Sequence, residues 1–183
     1  MPKLIIGLTG QLAAGKGAVA AYLEKKYHSQ TFGFSAPLRD VTRRLYLEET
    51  RANLAGLSNI LRAQFGSDLI SRVITEDLKR SAADIVVLDG IRRLPDIALT
   101  KDLPGFVLVR VDTDEQIRYQ RLLGRGQNQD DQQKTFAQFQ ADHQAEADRQ
   151  IPEVMAMAQY TLTNNGTMEQ LYQQIDDLIT KLS

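Results

Sequence analysis

Apolar positions along the chain fall into short runs separated by helical periodicities. Leu4, Ile5, Ile6 and Leu8 form the first run, with the length and composition of a strand buried in a parallel sheet. Four more runs read as strands: Thr31–Phe34, which is short and weak, Ile85–Leu88, Phe106–Val111 and Tyr160–Thr163. Between them the spacing turns helical. Ala18–Lys25 continues from the first strand as a helix, and Leu54, Leu57, Leu61 and Phe65 recur at helix spacing. So do Leu69, Ile70, Val73, Ile74 and Leu78, and a C-terminal helix carries Met168, Leu171, Ile175, Leu178, Ile179 and Leu182 on one face. Capping-box signatures at Thr113 with Gln116 and at Thr167 with Gln170 mark two helix starts. Strands alternating with helices predict an α/β fold with a central parallel sheet and right-handed crossovers.

Two segments interrupt the alternation. Residues 35–82 hold two or three helices between the second and third strands, more than a crossover needs. Residues 124–135, GRGQNQDDQQKT, are polar and poor in apolar anchors. A polar loop has this composition, and so does a closing lid flanked by arginines. The expected organisation is one domain over residues 1–183. Its core would be 1–34, 83–123 and 136–183, with an acceptor-binding insertion at 35–82 and a lid at 124–135.

Composition adds exclusions. A formal net charge of -1 offers no electrostatic footprint for nucleic acid or an anionic membrane. The absence of cysteine rules out disulfides and thiolate metal sites. No apolar run approaches spanning length and no signal peptide precedes the first strand, so a cytoplasmic protein is expected, monomer or homodimer.

Candidate chemistry begins where the first strand ends. Gly10, Gly15 and Lys16 fit the G-x-x-x-x-G-K frame of a phosphate-binding loop, placed between a strand and a helix as the frame requires. Glycines allow successive N–H groups to converge on phosphate oxygens, the helix N-terminus adds its dipole, and Lys16 can reach the β/γ-phosphates. The loop residues Gly10, Gln11, Leu12, Ala13, Ala14, Gly15, Lys16, Gly17 and Ala18 are the expected ATP-binding set. Gly17 stands where a Ser or Thr hydroxyl usually binds Mg²⁺, so the ion must rely on water, phosphates and other carboxylates. Asp89, at the end of the third strand in VVLDGIRR, sits where open α/β sheets bind ligands, and can hold Mg²⁺ directly or through water. An Asp-Gly turn closing the strand is compatible with that role.

Arg118, Arg121 and Arg125 fall within about 60° of one another on a helix. Such a row calls for an anionic partner or forms a solvated face. Arg39, after FSAPL, and Arg92, after Asp89, are candidates for gripping an acceptor phosphate. Arg62 and Arg72 could join them or pair with Asp68 and Glu76 on helix surfaces. His28 and His143 lack metal-ligand spacing, and Tyr119, Phe136 and Phe139 read as packing groups.

These motifs resemble the P-loop nucleoside monophosphate kinase superfamily. The GxxxxGKG form is that of adenylate kinases, although Ala18 stands where those proteins have a threonine. DGIRR is similar to the segment that family uses for Mg²⁺-bound water and the acceptor phosphate, and FSAPLR to the one presenting an arginine to the monophosphate. LRAQFGSDLISR followed by VVLDGIRR resembles phage-type deoxynucleoside monophosphate kinases. The C-terminal RLLGRG and AQYTLTNNGTMEQL resemble dephospho-CoA kinases and adenylate-kinase-related archaeal proteins, in which the NNGT-like loop, with Asn165, would lie near the adenine. The resemblance implies a three-layer P-loop NTPase sandwich with a five-stranded parallel sheet. It also implies ATP and Mg²⁺ as cofactors, and a kinase acting on a nucleoside or deoxynucleoside monophosphate. Lys16, Asp89, Arg121 and Arg125 would be catalytic, with Arg121 also touching the donor. A dephospho-CoA kinase is the rival enzyme, though SAPLRD has a single aspartate, Asp40, where that family carries an acidic pair. An ATP-binding regulator without a small acceptor is the rival of another class. A GTP switch would need an N-K-x-D motif, which the sequence lacks.

Overall fold

In the computed structural model, residues 2–125, 134–142 and 149–182 are described. β1 (Leu4–Thr9) is buried at all of its positions, as a strand is when helices cover both faces of its sheet. It pairs in parallel with β3 (Ile85–Ile91) on one side and β4 (Phe106–Asp112) on the other. β2 (Gln30–Gly33) flanks β3 and β5 (Tyr160–Thr163) flanks β4, giving the order β2-β3-β1-β4-β5. Each of the five expected runs is a strand.

The period of two along each strand distributes side chains to two helical layers. Leu4, Ile6, Leu8, Val87, Val109 and Leu162 pack with α1 (Lys16–Tyr27) and α9 (Met168–Leu182). Ile5, Val86, Leu88 and Leu108 face the other way, onto the insertion helices and the short α5 (Leu94–Ile97). That insertion forms α2 (Ala36–Arg44), α3 (Arg51–Phe65) and α4 (Leu69–Lys79). α4 lays Ile70, Ile74 and Leu78 on the sheet, so the last part of the 35–82 segment is also the crossover helix leading into β3. In α3 the expected stripe holds for Leu54, Leu57 and Leu61, but Phe65, at the helix end, is largely exposed.

Helix starts follow local chemistry unevenly. Thr167 and Gln170 form their capping box at α9, Thr167 N–H donating to Gln170 Oε1 (3.0 Å) and Gln170 N–H to Thr167 Oγ1 (3.3 Å). α6 (Glu115–Arg125) starts one residue later than a box at Thr113 requires, with Arg118 N–H bonded to Asp114 O. The Thr113 hydroxyl donates across the sheet instead, to Ala14 O. α7 (Phe136–Asp142) and α8 (Ile151–Ala156) precede β5. Phe136 and Phe139 pack with Tyr119, Leu122 and Ala13, as packing groups should. His28 is exposed at the C-cap of α1. Of the expected lid, residues 126–133 lie outside the described residues, as does His143. Among the described residues, no helix is long and apolar enough to cross a membrane.

Candidate active site

β1 delivers the glycine-rich loop to the carboxyl edge of the sheet. Gly10 (φ +150°) passes so close to β4 that a Cβ would sit 2.6 Å from Val111 O. Gly15 (φ +103°) sits where a Cβ would overlap Asn164 Nδ2. A Cβ is therefore opposed at both positions, by backbone conformation and by space together. Ala13 also adopts a left-handed conformation (φ +61°), and Gln11, Leu12 and Ala14 complete the turn into α1.

Lys16 Nζ donates to the carbonyls of Gly10 (2.6 Å) and Gln11 (3.2 Å), folding its ammonium back across the loop. Gly17 and Ala18 are in the first turn of α1. A Cβ at Gly17 would meet open space, and Ala18 N–H is bonded to Gly15 O (3.0 Å). The loop is fixed from beneath by distant residues. Ala14 O accepts both Thr113 Oγ1–H and Asn164 Nδ2–H, each at 2.9 Å. Arg118 Nη1 donates to Leu12 O (3.3 Å) and its Nε to Thr113 O (3.1 Å), with the guanidinium over the Phe139 ring.

Arg118 is only 3% exposed, and desolvation pushes its pKa down. The three-arginine row therefore does not act as one surface. The 60° between Arg118 and Arg121 is enough to turn the first under the loop and leave the second beside it. Arg121 Nη2 donates to Asn164 Oδ1 (3.3 Å), while its Nη1 is buried with no hydrogen-bond partner. That nitrogen is 4.0 Å from where a Gly15 Cβ would be. Arg125 ends α6, and its side chain lies outside the described residues.

Asp89 lies inside β3, in register with Leu8 of β1 and Gly33 of β2. β3 continues past it to Ile91, with a register shift at Gly90 (φ +88°), so the Asp-Gly pair is a bulge and not a strand-closing turn. Asp89 Oδ1 is buried and has no hydrogen-bond partner. An unpaired carboxylate oxygen is costly to bury unless a cation or donor joins it, and oxygen is the ligand Mg²⁺ prefers. Among the described residues no group of three or more His, Asp or Glu side chains forms a cage, so an ion held here would keep much of its water.

The expected acceptor arginines divide. Arg39 pairs with Glu49 (2.7 Å), which also accepts from Arg43 Nε (2.8 Å); these bonds, Arg39's first, pull the Glu49 carboxyl below its usual range. Arg92 is half-buried after β3, its backbone N–H donating to Asp96 Oδ2 (3.1 Å). Arg62 is bonded within the protein, donating to Asp96 Oδ1 (2.8 Å), Ser58 Oγ (3.2 Å) and Ser67 O. Arg72 donates to Phe65 O (2.6 Å) and lies 3.6 Å from Asp68, closing the α3–α4 turn. Asn165 is engaged with Asp114, accepting its N–H (2.8 Å) and donating to its Oδ1 (2.9 Å). The neighbouring Asn164 makes the loop contact. The spacing at Thr113 signalled a helix cap and not its bond to Ala14, and the contacts of Asn164 with Ala14 and of Asp96 with Arg62 left no signal, because each joins segments far apart in sequence.

A parallel sheet of this order, with a glycine-rich loop and lysine between its central strand and first helix, defines a P-loop NTPase fold. The model of the AAA domain family matches residues 6–149, and the chain belongs to that family. Similar curated proteins include UPF0200 protein TK1334 of Thermococcus kodakarensis, 29% identical over 98% of this chain and 100% of that protein. A UPF0200 protein of Methanoculleus marisnigri is 27% identical over 97% of this chain and 96% of its own length. Among solved structures, TT1252 from Thermus thermophilus covers 100% of both chains at 19% identity and a TM-score of 0.64. Shikimate kinase from Bacteroides thetaiotaomicron covers 98% of both at 15% identity and a TM-score of 0.65. These structural likenesses concern the fold.

Proposed function

We propose that this protein is an ATP-dependent phosphotransferase that moves the γ-phosphoryl of ATP to a nucleoside or deoxynucleoside monophosphate. The observation that carries the reading is the meeting, at one edge of the sheet, of a phosphate cradle and a buried guanidinium nitrogen without a partner. Phosphoryl transfer asks the protein mainly for positioning and charge neutralisation. The loop N–H groups and the α1 N-terminus would take the donor phosphates. Lys16 would exchange the carbonyls of Gly10 and Gln11 for phosphate oxygens. Arg121 would give its unpaired Nη1 to the polyphosphate or base, and Arg125, the next arginine of the row, would close over the transferring group. Asp89 would hold Mg²⁺ through water, and the ion, when bound, neutralises charge on the β/γ-phosphates. Arg39 and Arg92 would orient the acceptor.

A phosphate acceptor is favoured over an alcohol such as shikimate or dephospho-CoA. An alcohol needs a carboxylate to take its proton in addition to the one that holds the metal; Asp89 is taken here for Mg²⁺, and the neighbouring position on β2 is Gly33, with no side chain to supply a second. A monophosphate, with its second pKa at about 6, is already ionised near neutral pH.

The test is coupled ADP release with ATP·Mg²⁺ against a panel of ribo- and deoxyribonucleoside monophosphates, with dephospho-CoA and shikimate included. Stimulation by one monophosphate, abolished in Lys16→Ala, is the expected result. Stimulation by an alcohol alone overturns the acceptor assignment. ATP binding without any stimulated turnover overturns the enzyme in favour of a regulator.

A further inference from the structure

One carboxylate ties three parts of the acceptor side together. Asp96, in α5, is 3% exposed, and both of its oxygens are used. Oδ2 accepts the backbone N–H groups of Arg92 (3.1 Å) and Arg93 (3.0 Å). Oδ1 accepts Nη2 of Arg62 (2.8 Å), which reaches over from α3. The Asp96 carbonyl in turn accepts Ser71 Oγ–H (3.0 Å) from α4, at a fully buried position. At the other end of the same strap, Thr9 Oγ1 donates to Ile91 O (3.0 Å), anchoring the exit of β3 to β1. The backbone that carries Arg92 and Arg93 is thus pinned on both sides, next to the Asp89–Gly90 bulge.

Arg62 is nearly as enclosed as its partner, with side-chain exposures of 12% and 4% for the pair. A buried pair of this kind adds little net stability compared with apolar packing. What it does supply is geometry, because the guanidinium is held by Ser58 on its own helix and by Ser67 in the turn that follows, and from there reaches Asp96, which fixes α3 relative to the strap. We propose that Asp96 and Arg62 are positioning residues that set Arg92 and Arg93 for an incoming phosphate, a role that rests on the assignment of Arg92 to the acceptor. Neither touches the phosphate. Asp96 aims the strap, and Arg62 makes its position follow that of the insertion helices, so acceptor capture and insertion geometry are set together.

The test is a titration of the full chain with inorganic phosphate, read by the amide and arginine Nε–H signals of an NMR spectrum. Wild type, Asp96→Asn and Arg62→Lys are compared, with thermal melts alongside. Signals of Lys16 and Gly17 report the donor loop, and those of Arg92 and Arg93 report the strap. Asp96→Asn should weaken phosphate at Arg92 and Arg93 by about tenfold, the lower end of what losing an outer-shell partner costs. Binding at Lys16 and Gly17 should stay within about twofold, a change well below one tenfold step of affinity. Arg62→Lys, which keeps the charge and loses the fork, should fall between wild type and Asp96→Asn. Equal weakening at both groups of signals would reduce the pair to general scaffolding and overturn the proposal, as would no weakening in either variant. Phosphate that moves the donor loop of wild type and leaves Arg92 and Arg93 unmoved overturns it too. Should Asp96→Asn not fold, Arg62→Lys alone decides by the same split. If the split appears and no monophosphate is phosphorylated, the positioning device stands and the kinase assignment fails.

Discussion

Asn164→Ala removes the side chain that joins the last strand to the phosphate loop. Two bonds go. The first is Nδ2–H to Ala14 O at 2.9 Å, a neutral buried bond with a net contribution of about 0.5–1.5 kcal/mol. Ala14 O keeps its bond from Thr113, so no carbonyl is orphaned. The second is Arg121 Nη2–H to Asn164 Oδ1 at 3.3 Å, in which the donor is charged, a class worth about 1.5–3 kcal/mol. Its length and the partial exposure of Arg121 place it at the lower end. The expected loss is about 2–3 kcal/mol, or roughly 4–12 °C in melting temperature for a domain of this size. Urea denaturation followed by circular dichroism measures it, with Arg121→Ala and the double variant closing a thermodynamic cycle. In the Arg121→Ala background the cost of Asn164→Ala should fall to about 1 kcal/mol, the neutral bond alone. A single-variant loss below about 0.5 kcal/mol, the lower bound for one hydrogen bond, would refute the reasoning. So would strict additivity in the cycle, because the contact with Arg121 would then carry no energy.

Gly15→Ala should destabilise the chain by about 1–3 kcal/mol, since the left-handed backbone and the overlap with Asn164 both oppose a Cβ, and ATP binding should fall with it; melting and nucleotide titration check both. Asp89→Asn should leave thermal stability without added metal unchanged or slightly higher, because it removes a buried unpartnered carboxylate oxygen, while the Mg²⁺ concentration needed for half-maximal turnover rises; a destabilised variant with normal Mg²⁺ dependence would assign Asp89 to the framework. Asp176, on α9, accepts from Lys26, Tyr27 and Tyr22 of α1, and these bonds, Lys26's first, hold its carboxyl below the ordinary value of 3.8. A depressed folded-state pKa gives stability that is present above the unfolded value and lost as pH falls through the folded one. Acidification below about pH 4 should therefore lower the melting temperature of wild type more steeply than that of Asp176→Asn, and parallel curves would refute the assignment.

The sequence by itself determined whatever depends on neighbours along the chain. A strand, a glycine loop and a helix in immediate succession need no tertiary information to be read as a phosphate cradle, because the frame Gly10–Lys16 is a local geometry. Alternating strands and helices were legible for the same reason, since a buried strand and an amphipathic helix write different periods into the chain. The candidate arginines were legible as a set, and their division was not: Arg62 and Arg118 differ from Arg92 and Arg121 only in what the fold brings opposite them. Asn165 was the residue expected near the nucleotide, and it is its neighbour Asn164 that β5, lying beside β4, brings to the phosphate loop. Only the strand order could decide that, for Asn164 meets Ala14 across 150 residues of chain, Thr113 meets it across 99, and Arg62 meets Asp96 across 34. Such bonds leave no spacing in the sequence, because they are set by which strand lies next to which, a property of the packed sheet as a whole.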